Sequence, residues 1–333
     1  MKKSILFILL LTLVLGGCSA QSTESASNDK ITIIATLFPQ YDFAKAVGGD
    51  FVDVSLLLPP GVEAHSFEPT PKDIVHIGNA DMLLYTGAGM EPWVADMTAT
   101  IETGSLDVVD LSEGITLLKS SDAHDEEVHD SDASDSSEEG ASADGDESED
   151  ADHDHGEYDP HFWLDPTNAV VMVQHIADSL AAMDSEHADV YQANAAAYIE
   201  SLQALDEDMM TFFDTVPQKT IIYGGHFAFA YFAKRYGLDY ISPYNGFSPD
   251  AEPTPQRIAA LVDAIEATHT KTIYYEELIS PKVAEVISEE TGASMRLLHG
   301  AHNVTKDELD AGVTYLSIMY DNLERLKEGL TNE

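Results

Sequence analysis

Short apolar runs recur along the chain at spacings that leave room for a helix between them. The runs at 31–35, 52–57, 82–85 and 106–109 form one series, and those at 220–223, 240–242, 272–275 and 294–297 form a second. Runs this short, rich in Ile, Val, Leu and Tyr and separated by helix-length spans, predict a β/α alternation. The expected fold is α/β, with two (β/α) lobes each built around a small, mainly parallel sheet. Between the two series the period changes. Tyr191, Ala195, Tyr198, Leu202, Leu205, Met209 and Phe212 recur at alternating steps of four and three, which places them on one face of a long helix. The helix should start near Asp184 or Ser185, both able to cap, and stop before Pro217. A seam of under four heptads with polar neighbours suits a stiff spine packed along two lobes better than a coiled coil.

This pattern divides the chain into a leading segment 1–18, a small polar tether 19–30, a first lobe 31–183, a linking helix 184–216 and a second lobe 217–333. A length of 333 residues agrees with two domains of about 150 residues each. Residues 1–18 carry Lys2 and Lys3, then an apolar run from Ile5 to Leu15 too short to span a bilayer, ending in Leu15-Gly16-Gly17-Cys18. That is an export signal whose end resembles a bacterial lipobox, with Cys18 as the lipidated residue. Cys18 is the single cysteine of the sequence, so disulfides, thiolate metal sites and a Cys nucleophile are excluded.

Charge narrows the function. Lys and Arg number 16 against 60 Asp and Glu, a formal net charge of −44. Such a surface repels nucleic acid and favours cations or basic partners. The acid concentrates between residues 122 and 157, which hold 17 Asp and Glu with no Lys or Arg. The stretch 120–158 is low in complexity and almost without apolar residues, so it is expected to stay disordered. It also contains His124, His129, His153 and His155. Carboxylates beside imidazoles at this density make a weak, multivalent collector of divalent cations, or else a solvated acidic run with no role.

Nine further histidines lie elsewhere, and several occupy positional contexts. His65 stands in the Pro-rich segment Gly61-Val-Glu-Ala-His65-Ser-Phe-Glu68-Pro-Thr-Pro71, and His161 in Asp159-Pro-His161-Phe-Trp-Leu-Asp165-Pro166. His226 follows Gly224-Gly225 at the end of a strand run, and His302 follows His299-Gly-Ala beyond the last one. In α/β sheets ligands bind outside the carboxyl ends of strands, so loop residues from both lobes converge on one cleft. Neutral imidazoles there make a nitrogen-rich metal site.

Four of these ordered segments carry a resemblance: His65-Ser-Phe-Glu-Pro-Thr-Pro, Asp159-Pro-His161-Phe-Trp-Leu-Asp-Pro, Gly225-His226-Phe-Ala-Phe-Ala-Tyr-Phe-Ala-Lys-Arg-Tyr-Gly237-Leu and Glu277-Leu-Ile-Ser-Pro-Lys-Val-Ala-Glu. From about residue 31 to the C-terminus, outside the acidic loop, the chain resembles the metal-binding solute receptors of bacterial ABC importers, and most nearly the zinc receptors of the ZnuA/AdcA kind. The resemblance implies two lobes joined by one rigid helix, with the metal between them. It implies His65 and His161 as ligands from the first lobe and His226 from the second. Manganese and iron members of the family typically carry a carboxylate at that third place. A histidine there favours Zn²⁺ as the bound ion, since imidazole suits zinc better than oxygen-loving Mn²⁺.

At the fourth place the chain departs from the family, where an Asp or Glu usually follows the last strand. His302 aligns with it through the following Val304-Thr-Lys-Asp-Glu-Leu run. His299, Glu276, Glu277 and a water remain alternatives. Acids such as Glu68, Asp165 or Glu277 are candidates to orient ring N–H groups. The partners implied are an ABC permease with its ATPase, and the membrane through a lipid on Cys18. The expected protein is a monomer on the outer face of the cytoplasmic membrane, with no nucleic-acid partner. Three other readings stay open: the same receptor role for Mn²⁺ or another divalent metal, a surface-anchored zinc hydrolase with Glu277 as base, and an adhesin using the acidic loop. No Gly-x-Ser-x-Gly, His-Glu-x-x-His or Gly-Lys-Thr sequence is present, and Pro92 defeats the Gly-x-Gly at 87–89 as a dinucleotide fingerprint. The expectation is a receptor and not an enzyme.

Overall fold

The computed structural model describes residues 30–87, 89–100, 104, 106–119, 158–244 and 253–331. The export segment with Cys18, the tether up to residue 29 and the loop histidines His124, His129, His153 and His155 lie outside the described residues.

Strands form at all eight apolar runs, and the helices among and after them include α3 (Trp93–Thr100), α8 (Lys282–Thr291) and α9 (Lys306–Ala311). The first lobe holds β1 (Ile31–Ala35), β2 (Val52–Leu56), β3 (Met82–Tyr85) and β4 (Asp107–Asp110), and the second holds β5 (Thr220–Ile222), β6 (Asp239–Ile241), β7 (Thr272–Tyr275) and β8 (Ser294–Leu297). In the first lobe the order is β2-β1-β3-β4, all parallel, with Ile33 opposite both Val54 and Met82. Successive residues Ile33, Ile34 and Ala35 are all buried although they point to opposite faces, because helices cover both sides of a parallel sheet. In the second lobe β5 pairs with β6 and β7 with β8. A parallel bridge from Tyr223 to Tyr274, with the Gly224 N–H donating to the Tyr274 carbonyl at 2.8 Å, joins the two halves. Both lobes therefore wind in the same order, and in each a crevice opens beyond the carboxyl end of the first strand.

Helix starts are written in the sequence as capping residue plus proline. Thr70 caps α2 (Pro71–Gly78), Asp165 caps α4 (Pro166–Met183) and Thr254 caps α7 (Pro255–Thr268), each with Pro in the first turn. The cap satisfies an orphan N–H, and Pro costs nothing at a position without an intrahelical donor bond. The long helix α5 runs from Ala188 to Thr215. It buries Tyr191, Ala195, Leu202, Leu205, Met209 and Phe212, the seam read from the sequence, with Tyr198 half-buried. Its start differs from expectation. Asp184 ends α4 instead, and its carboxylate receives the Tyr191 hydroxyl at 2.8 Å and faces His187 Nδ1 at 2.6 Å. α5 packs on α1 (Phe38–Gly48) and α4 of the first lobe and on α6 (Ala230–Tyr236) and α10 (Tyr315–Leu330) of the second, so it serves both. One continuous core follows it, including Phe43, Trp163, Tyr191, Phe213, Phe232 and Tyr315.

A buried acid closes the crevice between β1 and β3. Glu91 accepts from Thr36 Oγ1 at 2.5 Å, Thr86 Oγ1 at 3.0 Å, and the N–H groups of Thr86 and Gly87 at 3.1 and 3.2 Å. Burial pushes its carboxyl up to about 7 from 4.5 in spite of these donors. A raised acid pKa means the folded state holds the proton more tightly than the unfolded chain. Its effect on stability is thus nil below about pH 4.5 and grows unfavourable as pH rises to about 7, reaching on the order of 3 kcal/mol. The Glu91→Gln variant is expected to lack this loss. Urea unfolding at pH 5 and pH 7 measures it, and an equal pH dependence in both proteins would contradict the assignment.

Candidate metal centre

The candidate residues come from strand ends of both lobes. His65 lies in the loop after β2, His161 beyond β4, His226 just after β5, Glu276 and Glu277 at the end of β7, and His299 and His302 after β8. Among the described residues one group of three metal-ligating side chains stands out. His65, His161 and His226 present ring nitrogens all within 4.8 Å of one another, with His161 and His226 buried and His65 half-buried. His161 Nε2 faces His65 Nε2 at 3.1 Å, and the three ring centroids lie 5.0, 5.2 and 5.7 Å apart. Nitrogens about 2.0–2.1 Å from a tetrahedral ion stand roughly 3.4 Å from one another. The His65–His161 pair, at 3.1 Å, is close to that spacing.

Two of the three rings are held from behind, and the third is held through its main chain. The His65 loop is tied by Glu63, whose carboxylate accepts from the N–H groups of His65 and Ser66, both at 3.0 Å. Asp159 Oδ1 lies 2.8 Å from both the N–H and Nδ1 of His161, which turns Nε2 toward His65. Asp159 in turn stands at a fixed point: its N–H donates to the Leu118 carbonyl at 2.8 Å, and the Tyr231 hydroxyl of the second lobe donates to its carbonyl at 2.8 Å while accepting the Leu118 N–H at 2.9 Å. His226 Nδ1 lies against Glu276 Oε2, leaving Nε2 buried and without a hydrogen-bond partner. A buried imidazole nitrogen with no partner is costly unless something else fills its valence.

The electrostatics favour neutral rings at His65 and His161 but not at His226. Burial, followed by the nearby rings of His226 and His302, holds His65 well below its ordinary value, and burial with the rings of His65, His226 and His302 does the same to His161. Burial also lowers His226, but the hydrogen bond and charge of Glu276, with Glu63 and Glu277, outweigh it and leave His226 raised. Burial pushes Asp159 up to about 8 against the His161 N–H and the charge of His226. For Glu277 burial acts upward, but His299, His302 and the Gly300 N–H bring it below the usual value.

The remaining candidates fall elsewhere. His302 is buried and its charge bears on His65 and His161, but it is not one of the three grouped rings. Its Nδ1 faces Glu277 Oε1 at 3.2 Å. His299 Nδ1 accepts the Ala301 N–H at 3.0 Å, and its main chain is bound on both sides by Asn322. Glu276 is the partner of His226. Two expected orienting acids are not placed against any ring: Glu68 is exposed, and Asp165 caps α4 and pairs with Arg235 at 3.4 Å. Sequence reasoning missed Asp159. Its signal was present in Asp159-Pro-His161, because an acid two residues before a histidine in a tight loop reaches both that residue's N–H and its ring.

Gly225 lets Glu276 approach. A Cβ there would stand 2.3 Å from Glu276 Oε1. The Gly225→Ala variant is expected to displace Glu276 from His226 and weaken metal binding at the trio by about 10- to 100-fold with every ring retained. Competition with a chelator measures it; an unchanged Kd would show that Glu276 does not orient His226.

Two lobes wound alike, a helical spine serving both, and three imidazoles from the two lobes within 4.8 Å of one another make this a candidate metal centre between the lobes. The chain belongs to the family described as "Zinc-uptake complex component A periplasmic", whose model matches residues 33–329. It is similar to the "Zinc-binding protein AdcA" of Streptococcus pyogenes, with 36% identity over 98% of this chain and 61% of that one. It thus spans about 61% of the length of that streptococcal relative. It is also similar to the "High-affinity zinc uptake system protein ZnuA" of Bacillus subtilis, 36% identical over 96% of this chain and 94% of that one. Among solved structures, the Zn(II)-bound ZnuA-like domain of Streptococcus pneumoniae AdcA matches with a TM-score of 0.72 and 32% identity, covering 90% of this chain and 99% of the other.

Proposed function

We propose that this protein is an extracytoplasmic receptor that captures Zn²⁺ between its lobes and delivers it to the permease of an ABC importer, whose ATPase drives uptake. The observation that carries this reading is the convergence of His65, His161 and His226, two of them backed by carboxylates, around a buried imidazole nitrogen that has no protein partner. Three imidazoles suit zinc, and His302, whose charge bears on both His65 and His161, is the proposed fourth ligand of a tetrahedral set. The names of the relatives support zinc as cargo. The receptor acts by stoichiometric binding, without turnover. It is anchored as a monomer by a lipid on Cys18, with the segment 19–30 as tether, and the acidic loop gathers weakly held ions near the cleft and raises their effective concentration there.

Calorimetric titration of the metal-stripped chain from residue 19 onward, with and without residues 120–157, tests the reading. One tight zinc site that survives loop deletion, with Mn²⁺ orders of magnitude weaker, is the expected result. Tight binding that vanishes with the loop, or a preference for Mn²⁺, would overturn it.

A further inference from the structure

Two of the three non-glycine residues with left-handed backbone among the described residues flank one side-chain pair. Leu278, at φ 61°, follows Glu277, and Ala301, at φ 58°, precedes His302. Left-handed backbone is unfavourable for residues with a Cβ and persists where its surroundings over-determine it. Here it aims two buried side chains at each other: His302 Nδ1 and Glu277 Oε1 are 3.2 Å apart, both buried, and neither has a hydrogen-bond partner.

Both residues are fixed by other contacts. The second Glu277 oxygen accepts the Gly300 N–H at 2.8 Å. The His302 carbonyl accepts the Phe38 N–H at 3.1 Å. The next residue, Asn303, is fully buried and donates to the Pro59 and Val62 carbonyls at 2.8 and 2.7 Å, clasping the loop that carries His65. The His302 main chain is thereby pinned to the first lobe, and what remains adjustable is the ring. His299 Nδ1 also lies 3.4 Å from Glu277 Oε1, farther than the 3.2 Å of His302, and it accepts the Ala301 N–H, so as an acceptor it does not donate to that oxygen.

We infer that Glu277 is a positioning residue that holds the proton of His302 on Nδ1, leaving Nε2 of His302 as a nitrogen donor to the cleft and making His302 a ligand. A small rotation of the ring aligns Nδ1–H with Glu277 Oε1 and satisfies both orphaned atoms at once. The carboxylate also supplies negative charge behind an all-imidazole site, which has no anionic ligand of its own. The same device appears at His161 with Asp159 and at His226 with Glu276. This inference rests on the zinc-receptor reading for its consequence, although the pairing itself is a property of the zinc-free chain.

The test has two parts. Nitrogen-15 NMR of the zinc-free protein reports which nitrogen of His302 carries the proton; Nδ1–H is expected in the native protein, and Glu277→Gln should move the ring toward a mixture of tautomers. Zinc titration of Glu277→Gln, His302→Ala and the double variant is expected to show a loss of about 10- to 100-fold for Glu277→Gln that disappears in the His302→Ala background. Nε2–H at His302, or a Glu277→Gln loss that persists in full without His302, would overturn the inference. Failure of the native protein to bind zinc would remove the receptor reading, while the tautomer measurement would still decide the pairing.

Discussion

Replacing His161 with alanine is expected to weaken zinc binding by more than about 100-fold, because loss of a ligand should exceed the 10- to 100-fold typical of an outer partner. His161 sits at the centre of the site. Its Nε2 faces His65 at 3.1 Å, its ring lies 5.7 Å from that of His226, and its other nitrogen is anchored by Asp159. The substitution also removes the ring partner of the buried Asp159 carboxyl, leaving only the main-chain N–H of residue 161, so unfolding of the zinc-free variant must be followed in parallel. A variant that is folded and has lost zinc affinity supports the site; one that keeps native affinity would show that zinc binds elsewhere. His65→Ala and His226→Ala should behave alike, since the three nitrogens converge on one point.

The second large effect concerns the seam between lobes. Trp163 is fully buried, stands edge-on to His161 at 5.3 Å, and donates its indole N–H to the Gly300 carbonyl at 2.8 Å. The Tyr315 hydroxyl donates to the Trp163 carbonyl at 2.5 Å, so the residue ties His161, the segment before His302 and the start of α10 together. Trp163→Ala is expected to cost about 3–5 kcal/mol of stability through lost burial and the cavity left behind. Zinc affinity should fall with it, because the cavity lies against a ligand. Trp163→Phe keeps much of the packing but leaves the Gly300 carbonyl without its donor, which is worth about 1–3 kcal/mol. Urea unfolding of both variants separates the contributions, and a Trp163→Ala cost below about 1 kcal/mol would mean that this residue does not close the seam.

How much of this was legible in advance depends on the range of the interaction involved. The eight strand runs, the seam of α5 and the Thr-Pro and Asp-Pro helix starts are local patterns: periodicity, capping and proline chemistry are fixed by residues within a turn or a strand of one another. Glu277 was legible as a partner for a histidine ring, though not which ring it meets. Glu68 and Asp165 were reasonable orienting acids by proximity in sequence, but Glu68 points to solvent and Asp165 serves the N-terminus of α4.

The sequence by itself determined two α/β lobes, a long helix between them, and histidines at strand ends where a cleft must form. Membership in the zinc-receptor family was carried by four ordered motifs. The tertiary structure supplied the distances that bring His65, His161 and His226 within 4.8 Å of one another, put Asp159 behind His161 and Glu276 behind His226, matched Glu277 to His302, and pinned the His302 main chain to the first lobe through Phe38 and Asn303. The reason is physical. A side chain's place in a helix or strand follows from its neighbours in sequence, whereas the 5.7 Å between the rings of His161 in the first lobe and His226 in the second follows from how both lobes pack on α5.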